Sequence, residues 1–136
     1  MDVSLYVDTS ALMKGYVAEA DSDDCESILR ADPQWITAQH TFVEGQSVLG
    51  RLLEGYDLAD ALDLFVANWN AMVVVDLDHE TSKRAAEFAV TLKVRALDAL
   101  HLAAAHRAGA PGVPFVTYDL RLAMAARSLG WTVLGV

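Results

Sequence analysis

Four acidic residues stand at places in the sequence where a carboxylate could do chemistry. Each follows or interrupts a mostly apolar stretch, and we call the four the acidic quartet: Asp8, Glu44, Asp98 and Asp119. Carboxylates gathered without matching basic residues repel one another unless a cation neutralises them. Ligands that are all oxygen atoms suit Mg²⁺ or Mn²⁺ rather than zinc. If the fold brings the quartet together, the sequence predicts a site for a divalent cation.

The two acids that follow predicted strands also have a simpler interpretation. Asp8 ends the apolar run VSLYV, and Asp119 follows VPFVT after one intervening residue. Both precede segments with helical spacing, where aspartate is a preferred N-cap because its carboxylate accepts from backbone N–H groups. Thr9 or Ser10 could cap the first helix instead, which would free Asp8 for a cation. Asp119 is the strongest N-cap candidate of the quartet.

The other two acids lie within predicted helices. Glu44 borders the buried face of its helix and could be a surface acid paired with His40, four residues earlier. Asp98 begins a segment that is apolar on nearly every side, where an unpaired carboxylate is costly. Asp98 could therefore be a metal ligand, or alternatively an N-cap with Arg95 as its counter-charge.

Alternating strands and helices are predicted to position these residues. Five apolar runs are unbroken, as in a parallel sheet covered on both faces. They lie at 3–7, 34–37, 72–76, 113–117 and 131–135. Helical patterns lie at 10–18, 22–31, 38–54, 57–70, 79–93, 97–108 and 120–129. This alternation predicts a single three-layer α/β/α domain over residues 1–136, with right-handed crossovers.

The order of the strands decides which acids meet. In open α/β sheets, ligands bind where the carboxyl ends of the strands feed into helices. In the common order 3-2-1-4-5, strands 1 and 4 are neighbours, so Asp8 and Asp119 would face each other. Asp76 and Asp78 follow the third strand at the far edge and are expected to lie outside the site.

Composition limits the class of protein. The chain has 136 residues, of which 54% are apolar, and a net charge of −9. No apolar run reaches the ~18–20 residues that cross a bilayer, and the start MDVSLYVD lacks the basic region of a secretory signal. The single cysteine, Cys25, fits a reducing compartment, so we expect a cytoplasmic protein. The apolar surplus favours contact with another subunit, and the acidity argues against wrapping duplex DNA but not against a nucleic-acid substrate.

Other catalytic motifs are not found in the sequence. The segment HETSK at 79–83 lacks the second histidine of HExxH, and His101 and His106 are five residues apart, off one helical face. There is no glycine-rich dinucleotide loop and no Walker motif. The acidic quartet is therefore the main candidate for chemistry.

Four stretches resemble the PIN-domain ribonucleases, especially the VapC-type toxins of bacterial toxin–antitoxin pairs. They occur in the family order and span nearly the whole chain: YVDTSAL, TFVEGQSVLGRL, RALDALHLAAA and FVTYDLRLAMAARSLGWTVL. The resemblance implies a five-stranded parallel sheet between helices and a quartet that binds metal. It also matches Ser10 and Thr117 to hydroxyl positions that support the metal site.

The resemblance further implies an activity and partners. The activity is hydrolysis of RNA phosphodiester bonds with Mg²⁺ or Mn²⁺ and an activated water, leaving a 5′-phosphate and a 3′-hydroxyl, with Asp8 or Asp98 as the base. Lys14, Arg95 and Arg121 could contact the phosphate backbone or be ordinary surface charge. A homodimer is expected, as is a VapB-type antitoxin that places an arginine or lysine in the acidic site.

The pattern leaves alternatives open. The family often carries a further acid near its fourth carboxylate, where this chain has the segment 120–122, so the site could hold one metal ion or two. A haloacid-dehalogenase-like phosphatase also begins with an aspartate after its first strand, but it needs a second aspartate where this chain has Ser10. A non-catalytic PIN-like module would only bind RNA or protein, and retention of the whole quartet argues against it.

Overall fold

A parallel sheet of five strands forms the centre of the protein, in a computed structural model that describes residues 4–136. The strands lie in the order β3-β2-β1-β4-β5, and every neighbouring pair is parallel. They are β1 Ser4–Val7, β2 Gln34–Ala38, β3 Val73–Val75, β4 Phe115–Thr117 and β5 Val133–Gly135. The α/β class and the strand order predicted from the sequence are both confirmed.

Helices cover both faces of the sheet. Within residues 4–136 they are α1 Thr9–Met13, α2 Ser22–Arg30, α3 Thr41–Leu52, α4 Gly55–Trp69, α5 His79–Leu92, α6 Ala96–Ala108 and α7 Leu120–Ser128. Successive side chains of a strand point to opposite faces, so β1 contributes to two cores. Tyr6 packs in the core shared with α5, α6 and α7, whereas Leu5 and Val7 pack under α1 to α4. The sheet is therefore the middle of three layers.

Two helices differ from their predicted bounds by three residues or more at one end, whereas the others differ by at most two. The helix predicted at 10–18 ends at Met13, because the next N–H groups bond carbonyls three residues back and close a tighter turn. The helix predicted at 38–54 begins only at Thr41, since the backbone before it still hydrogen-bonds the β3 backbone at 3.0 Å. The last three strands are shorter than predicted at their ends, and residue 3 of the first predicted strand lies outside the described residues.

The apolar surplus of the sequence is only partly buried. Large apolar side chains that are mostly exposed include Val43, Tyr56, Val90, Leu120 and Met124. None of the helices in residues 4–136 is long and apolar enough to cross a membrane. These exposed side chains are available for contact with another chain, as the composition suggested.

Helix α3 packs very close to its neighbours at Gly45. A Cβ added to Gly45 would lie 2.9 Å from Phe65 Cζ and 3.0 Å from Met13 Cε. Phe65 is fully buried and packs against other aromatic rings, so its ring has little room to shift, whereas the flexible end of Met13 lines an open cleft. Because Glu44 is the preceding residue, this close packing also sets where its carboxylate enters the site.

Two glycines of α3 provide a matched test of this packing. Gly45→Ala should lower the free energy of unfolding by about 1–2 kcal/mol, since overpacking outweighs the better helix propensity of alanine. Gly50→Ala, with nothing within 4 Å of the added methyl group, should raise stability by up to ~1 kcal/mol. Urea denaturation of both variants measures the difference. Shifts of the same sign and size would contradict the close packing at Gly45.

Candidate active site

The acidic quartet lines one cleft at the carboxyl ends of β1 and β4. Asp8 directly follows β1, and Asp119 begins α7 shortly after β4. Glu44 enters from the first turn of α3 and Asp98 from the first turn of α6. All four carboxylates line the same cleft, whose volume is about 410 Å³. Asp78 instead caps α5 after the edge strand β3, as the strand order predicted.

Asp8 is both a helix cap and a buried member of the quartet. It is 2% exposed and accepts from the Ala11 N–H (2.9 Å), the Ser10 hydroxyl (2.8 Å) and the Thr117 hydroxyl (2.6 Å). The expectation that Thr9 or Ser10 would cap α1 is wrong, because Asp8 is the N-cap. A carboxylate has about four acceptor positions, so three donors leave one for a cation.

The hydroxyl groups of Ser10 and Thr117 join the two strand ends at Asp8. The Ser10 oxygen accepts from the Tyr118 N–H, and the Thr117 oxygen accepts from the Asp119 N–H, each at 3.0 Å. Each hydroxyl thus donates to Asp8 and accepts from the backbone that follows β4. These are the two positions that the family resemblance identified as supporting the site.

Burial and mutual repulsion disfavour charge on part of the quartet. Burial raises the pKa of Asp8 above its usual value, although His101 and the hydrogen bonds to Asp8 oppose this shift. Burial and the nearby Asp119 carboxylate raise the pKa of Asp98, even though Arg95 lies 3.5 Å away. A raised carboxyl pKa means that the charged form is destabilised in the fold. A cation bound in the cleft would relieve that cost.

Asp119 caps a helix, whereas Asp98 does not. Asp119 is the N-cap of α7 and accepts from the N–H groups of Arg121 (2.9 Å) and Leu122 (3.2 Å). The N-cap position of α6 is Arg95, so the alternative interpretation of Asp98 as an N-cap is wrong. The Asp98 carboxylate is therefore not occupied by capping, and its ion pair with Arg95 is the contact that the sequence suggested.

Glu44 is held by groups that the sequence only partly indicated. The predicted partner His40 lies 3.4 Å from Glu44 Oε1. Two donors are closer, the Thr9 hydroxyl at 2.7 Å and His101 Nε2 at 2.9 Å. Burial would raise the pKa of Glu44, but the hydrogen bond and charge of His101 and the Thr9 hydroxyl bring it below its usual value. Glu44 is thus held in its charged form beside the cleft.

His101 is a site residue that sequence reasoning missed. Its spacing from His106 argued against a metal motif, and His106 does lie on the exposed side of α6. However, His101 follows Asp98 by three residues, so the two share a helix face, and His101 is 2% exposed. That spacing from Asp98, rather than from the other histidine, was the available signal.

Lys14 is tied to the segment that follows α1. Its Nζ lies 2.8 Å from Asp21 and 3.2 Å from Glu19, and its side chain is 11% exposed. Two carboxylates therefore balance the charge of this candidate phosphate contact. Lys14 still lines the cleft, but its charge first holds this segment in place.

The arginines near the cleft are more accessible. Arg95 lines the cleft and its side chain is 74% exposed. Arg121 is also exposed but is not among the lining residues of the cleft. Arg51, on the last turn of α3, lines the cleft and was not considered from the sequence. Sequence reasoning missed it because α3 had to be placed before its far end could be related to the quartet.

One group of side chains near the quartet contains nitrogen ligands. In residues 4–136, the only set of three or more His, Cys, Asp or Glu ligand atoms within 4.8 Å of one another belongs to His40, Glu44 and His101. Both Nε2 atoms already have partners, since His40 Nε2 donates to the Leu97 carbonyl at 3.1 Å and His101 Nε2 donates to Glu44, whereas the buried His40 Nδ1 has no hydrogen-bond partner among the described residues. Burial and the neighbouring His101 lower the pKa of His40 to about 4. We therefore describe this group as a hydrogen-bonded cluster.

The acidic quartet fits a hard divalent cation. Mg²⁺ is usually bound in proteins by one or two carboxylates, and water fills its other positions. The four quartet residues line one cleft, but among the described residues no three of their oxygen atoms lie within 4.8 Å of one another. This spacing suits an ion that is bound directly by only one or two carboxylates. Asp8 retains an acceptor position, and the Asp98 carboxylate has no capping role. The residues present are therefore compatible with Mg²⁺ or Mn²⁺.

The fold and the cleft define an α/β protein with an acidic cleft at the carboxyl ends of its central strands, and comparison with known proteins narrows that class. The PIN domain family matches residues 5–128. The chain is 34% identical to Ribonuclease VapC35 of Mycobacterium tuberculosis, over 96% of this chain and 95% of that protein. The chain therefore belongs to the PIN-domain family, which excludes the phosphatase alternative.

Solved structures show the same fold. The crystal structure of Mycobacterium tuberculosis VapC20, described as a sarcin-ricin loop cleaving toxin, matches with a TM-score of 0.73 at 17% identity, covering 89% of this chain and 94% of that chain. A toxin–antitoxin complex from Klebsiella pneumoniae matches with a TM-score of 0.68 at 15% identity, covering 85% and 86% of the two chains. These similarities confirm the predicted architecture.

Two aspartate N-caps with opposite pKa shifts offer a matched test of the site. Burial raises the pKa of Asp8, whereas the hydroxyl and N–H of Thr81 lower that of Asp78. In EDTA at neutral pH, Asp8→Asn should keep or raise the thermal midpoint, because asparagine also caps helices and a disfavoured charge is removed. Asp78→Asn should lower the midpoint, because the fold favours that charge. Circular dichroism measures both midpoints, and a larger loss for Asp8→Asn would show that Asp8 is mainly a structural cap.

Proposed function

We propose that the protein is a VapC-type endoribonuclease toxin that cleaves RNA phosphodiester bonds with Mg²⁺ or Mn²⁺. The observation that carries the proposal is the acidic quartet in one cleft, where the charges of Asp8 and Asp98 are disfavoured. Among the described side chains, Arg95 is the only lysine or arginine within 4.0 Å of a quartet carboxylate. Full-length similarity to a protein named a ribonuclease supports the same activity.

The residues of the cleft have separate tasks in this reaction. Asp8, Asp98, Asp119 and Glu44 would together hold a divalent cation, one or two of them directly, and the ion would supply a Lewis acid for the attacking water and the phosphate. Asp98 is more open to the cleft than Asp8 and would accept the proton of the attacking water. Ser10 and Thr117 keep Asp8 in place through their hydroxyl groups. The products would carry a 5′-phosphate and a 3′-hydroxyl.

The basic side chains at the cleft would bind the RNA backbone. Arg51 and Arg95 line the cleft and can reach solvent, and Arg121 lies exposed in the first turn of α7. Guanidinium groups bind phosphate through paired N–H donors, so these arginines suit a phosphodiester chain. Lys14 would contribute less, because Asp21 and Glu19 balance its charge.

The acidic cleft also accounts for control by a VapB-type antitoxin. A basic side chain of the antitoxin that entered the quartet would take the place of the cation. The solved toxin–antitoxin complex with the same fold supports a partner of this kind. Leu120 and Met124 lie one turn apart on α7 and are mostly exposed, which favours a homodimer. We expect the protein to act in the cytoplasm, where its RNA substrate is found.

Cleavage of a panel of small RNAs by the purified protein tests this function. Cleavage should require Mn²⁺ or Mg²⁺, stop in EDTA, and leave 5′-phosphate ends. Asp98→Asn should reduce the rate by about 100-fold or more, because it removes a group placed to accept a proton. Asp76→Asn is the matched control, since Asp76 follows the edge strand β3 outside the cleft, and it should cleave like the original protein.

Three results would count against the function. Equal cleavage by Asp98→Asn and the original protein would point to a contaminating nuclease. Cleavage that continues in EDTA would contradict the role of the cation. RNA binding without cleavage of any RNA in the panel would favour the non-catalytic PIN-like module.

A further inference from the structure

A buried chain of hydrogen bonds leads from the sheet to Glu44. The Tyr6 hydroxyl lies 2.8 Å from His101 Nδ1, and His101 Nε2 lies 2.9 Å from Glu44 Oε1. Tyr6 is fully buried and His101 is 2% exposed, whereas Glu44 is only partly buried and lines the cleft. This series of hydrogen bonds therefore connects the hydrophobic core with Glu44, the quartet residue on α3.

The hydrogen-bond partners of His101 determine the roles of its two ring nitrogens. An ionised carboxylate only accepts, so Nε2 of His101 carries the proton that bonds Glu44. The Tyr6 hydroxyl can donate to or accept from the other nitrogen, and it holds that nitrogen in either case. Rotation of the imidazole would break both hydrogen bonds at once, and the one to Tyr6 is buried, where leaving polar groups unpaired is costly.

Aromatic packing holds both ends of the Tyr6–His101 pair. The Tyr6 ring stacks on Phe115 of β4 with 5.3 Å between centroids, and the His101 ring lies 4.2 Å from that of His40. His101 is thus a rigid donor rather than a mobile surface side chain.

Both donors to Glu44 bond the same oxygen. The Thr9 hydroxyl and His101 Nε2 bond Oε1, at 2.7 Å and 2.9 Å. In the described part of the chain, Oε2 receives no hydrogen bond from the protein. The arrangement therefore fixes one oxygen of Glu44 and leaves the other available to a ligand.

We propose that His101, anchored by Tyr6, is a positioning residue that holds Glu44 so that its second oxygen serves the cation site. The proposal rests on the proposed function of the acidic quartet. Hydrogen-bond partners of metal ligands typically contribute about 10–100-fold to metal affinity. His101 is assigned to orienting Glu44 and not to contact with the RNA. A merely structural histidine would instead affect stability, with no dependence on Glu44.

Mn²⁺ affinity in a double-mutant cycle separates these two roles. The proteins are the original chain, Glu44→Gln, His101→Leu and the double variant, and the electron paramagnetic resonance signal of free Mn²⁺ gives Kd. His101→Leu should raise Kd by about 10–100-fold. In the Glu44→Gln background the same change should alter Kd less than about 3-fold, because His101 acts through Glu44. Equal losses in both backgrounds would overturn the proposal.

Milder variants keep the proposal testable if His101→Leu does not fold. His101→Gln retains an N–H donor near the Nε2 position and should keep Kd within a few-fold of the original value. Tyr6→Phe keeps the stacking on Phe115 and loses only the hydroxyl, so Kd should rise about 2–10-fold, as for one buried hydrogen bond. Tyr16→Phe is the matched control, since that hydroxyl accepts from Asn68 at 2.7 Å outside the cleft. An unchanged Kd in folded Tyr6→Phe would contradict the anchoring role.

The same titrations distinguish this inference from the proposed function. If the original chain binds no Mn²⁺, the proposed function and the inference both fail. If the original chain and Tyr6→Phe bind Mn²⁺ equally and His101→Leu matches them, only the inference fails. If His101→Leu raises the Kd for Mn²⁺ only in proteins that retain Glu44, the result supports both the proposed function and the inference.

Discussion

The hydrogen bond from Thr117 to Asp8, 2.6 Å long, joins the ends of the two central strands and places the whole site. β1 and β4 pair in parallel with Val7 opposite Val116, so the next residues of both strands leave the sheet side by side. Ser10 and Asp119 belong to the same two segments and enter the cleft with them. A shift of one residue in this pairing would turn the partner of Asp8 to the opposite face of the sheet.

Hydroxyl groups, backbone N–H groups and one imidazole, rather than lysine or arginine, support most of the acidic charge in the cleft. Asp8 is held by two hydroxyls and a backbone N–H, and Asp119 by two N–H groups of α7. Glu44 uses Thr9 and His101, and only Asp98 has an arginine beside it. Hydroxyl and backbone N–H donors fix the position of a carboxylate without cancelling its charge. The cleft therefore keeps the negative potential that the proposed cation requires.

The fold and the convergence of the quartet could be predicted because both follow from local patterns. Apolar runs located the strands, and the strand order placed Asp8 near Asp119. That Asp8 caps α1 and still lines the cleft could not be predicted, because the sequence presents cap and ligand as alternatives, whereas its three donors occupy three of about four acceptor positions. His101 was missed since its partners, Tyr6 and Glu44, come from β1 and α3 and not from its own helix. The spacing of His101 from Asp98 shows a shared helix face, but it does not show which residues of other elements meet that face.

Anomalous diffraction from crystals soaked in Mn²⁺ tests the central claim most directly, because it locates the cation without relying on activity. The account predicts a peak in the cleft that contacts Asp8 and at least one of Asp98 and Asp119. A peak on the imidazoles of His40 and His101, or none in the cleft at saturating Mn²⁺, would contradict it.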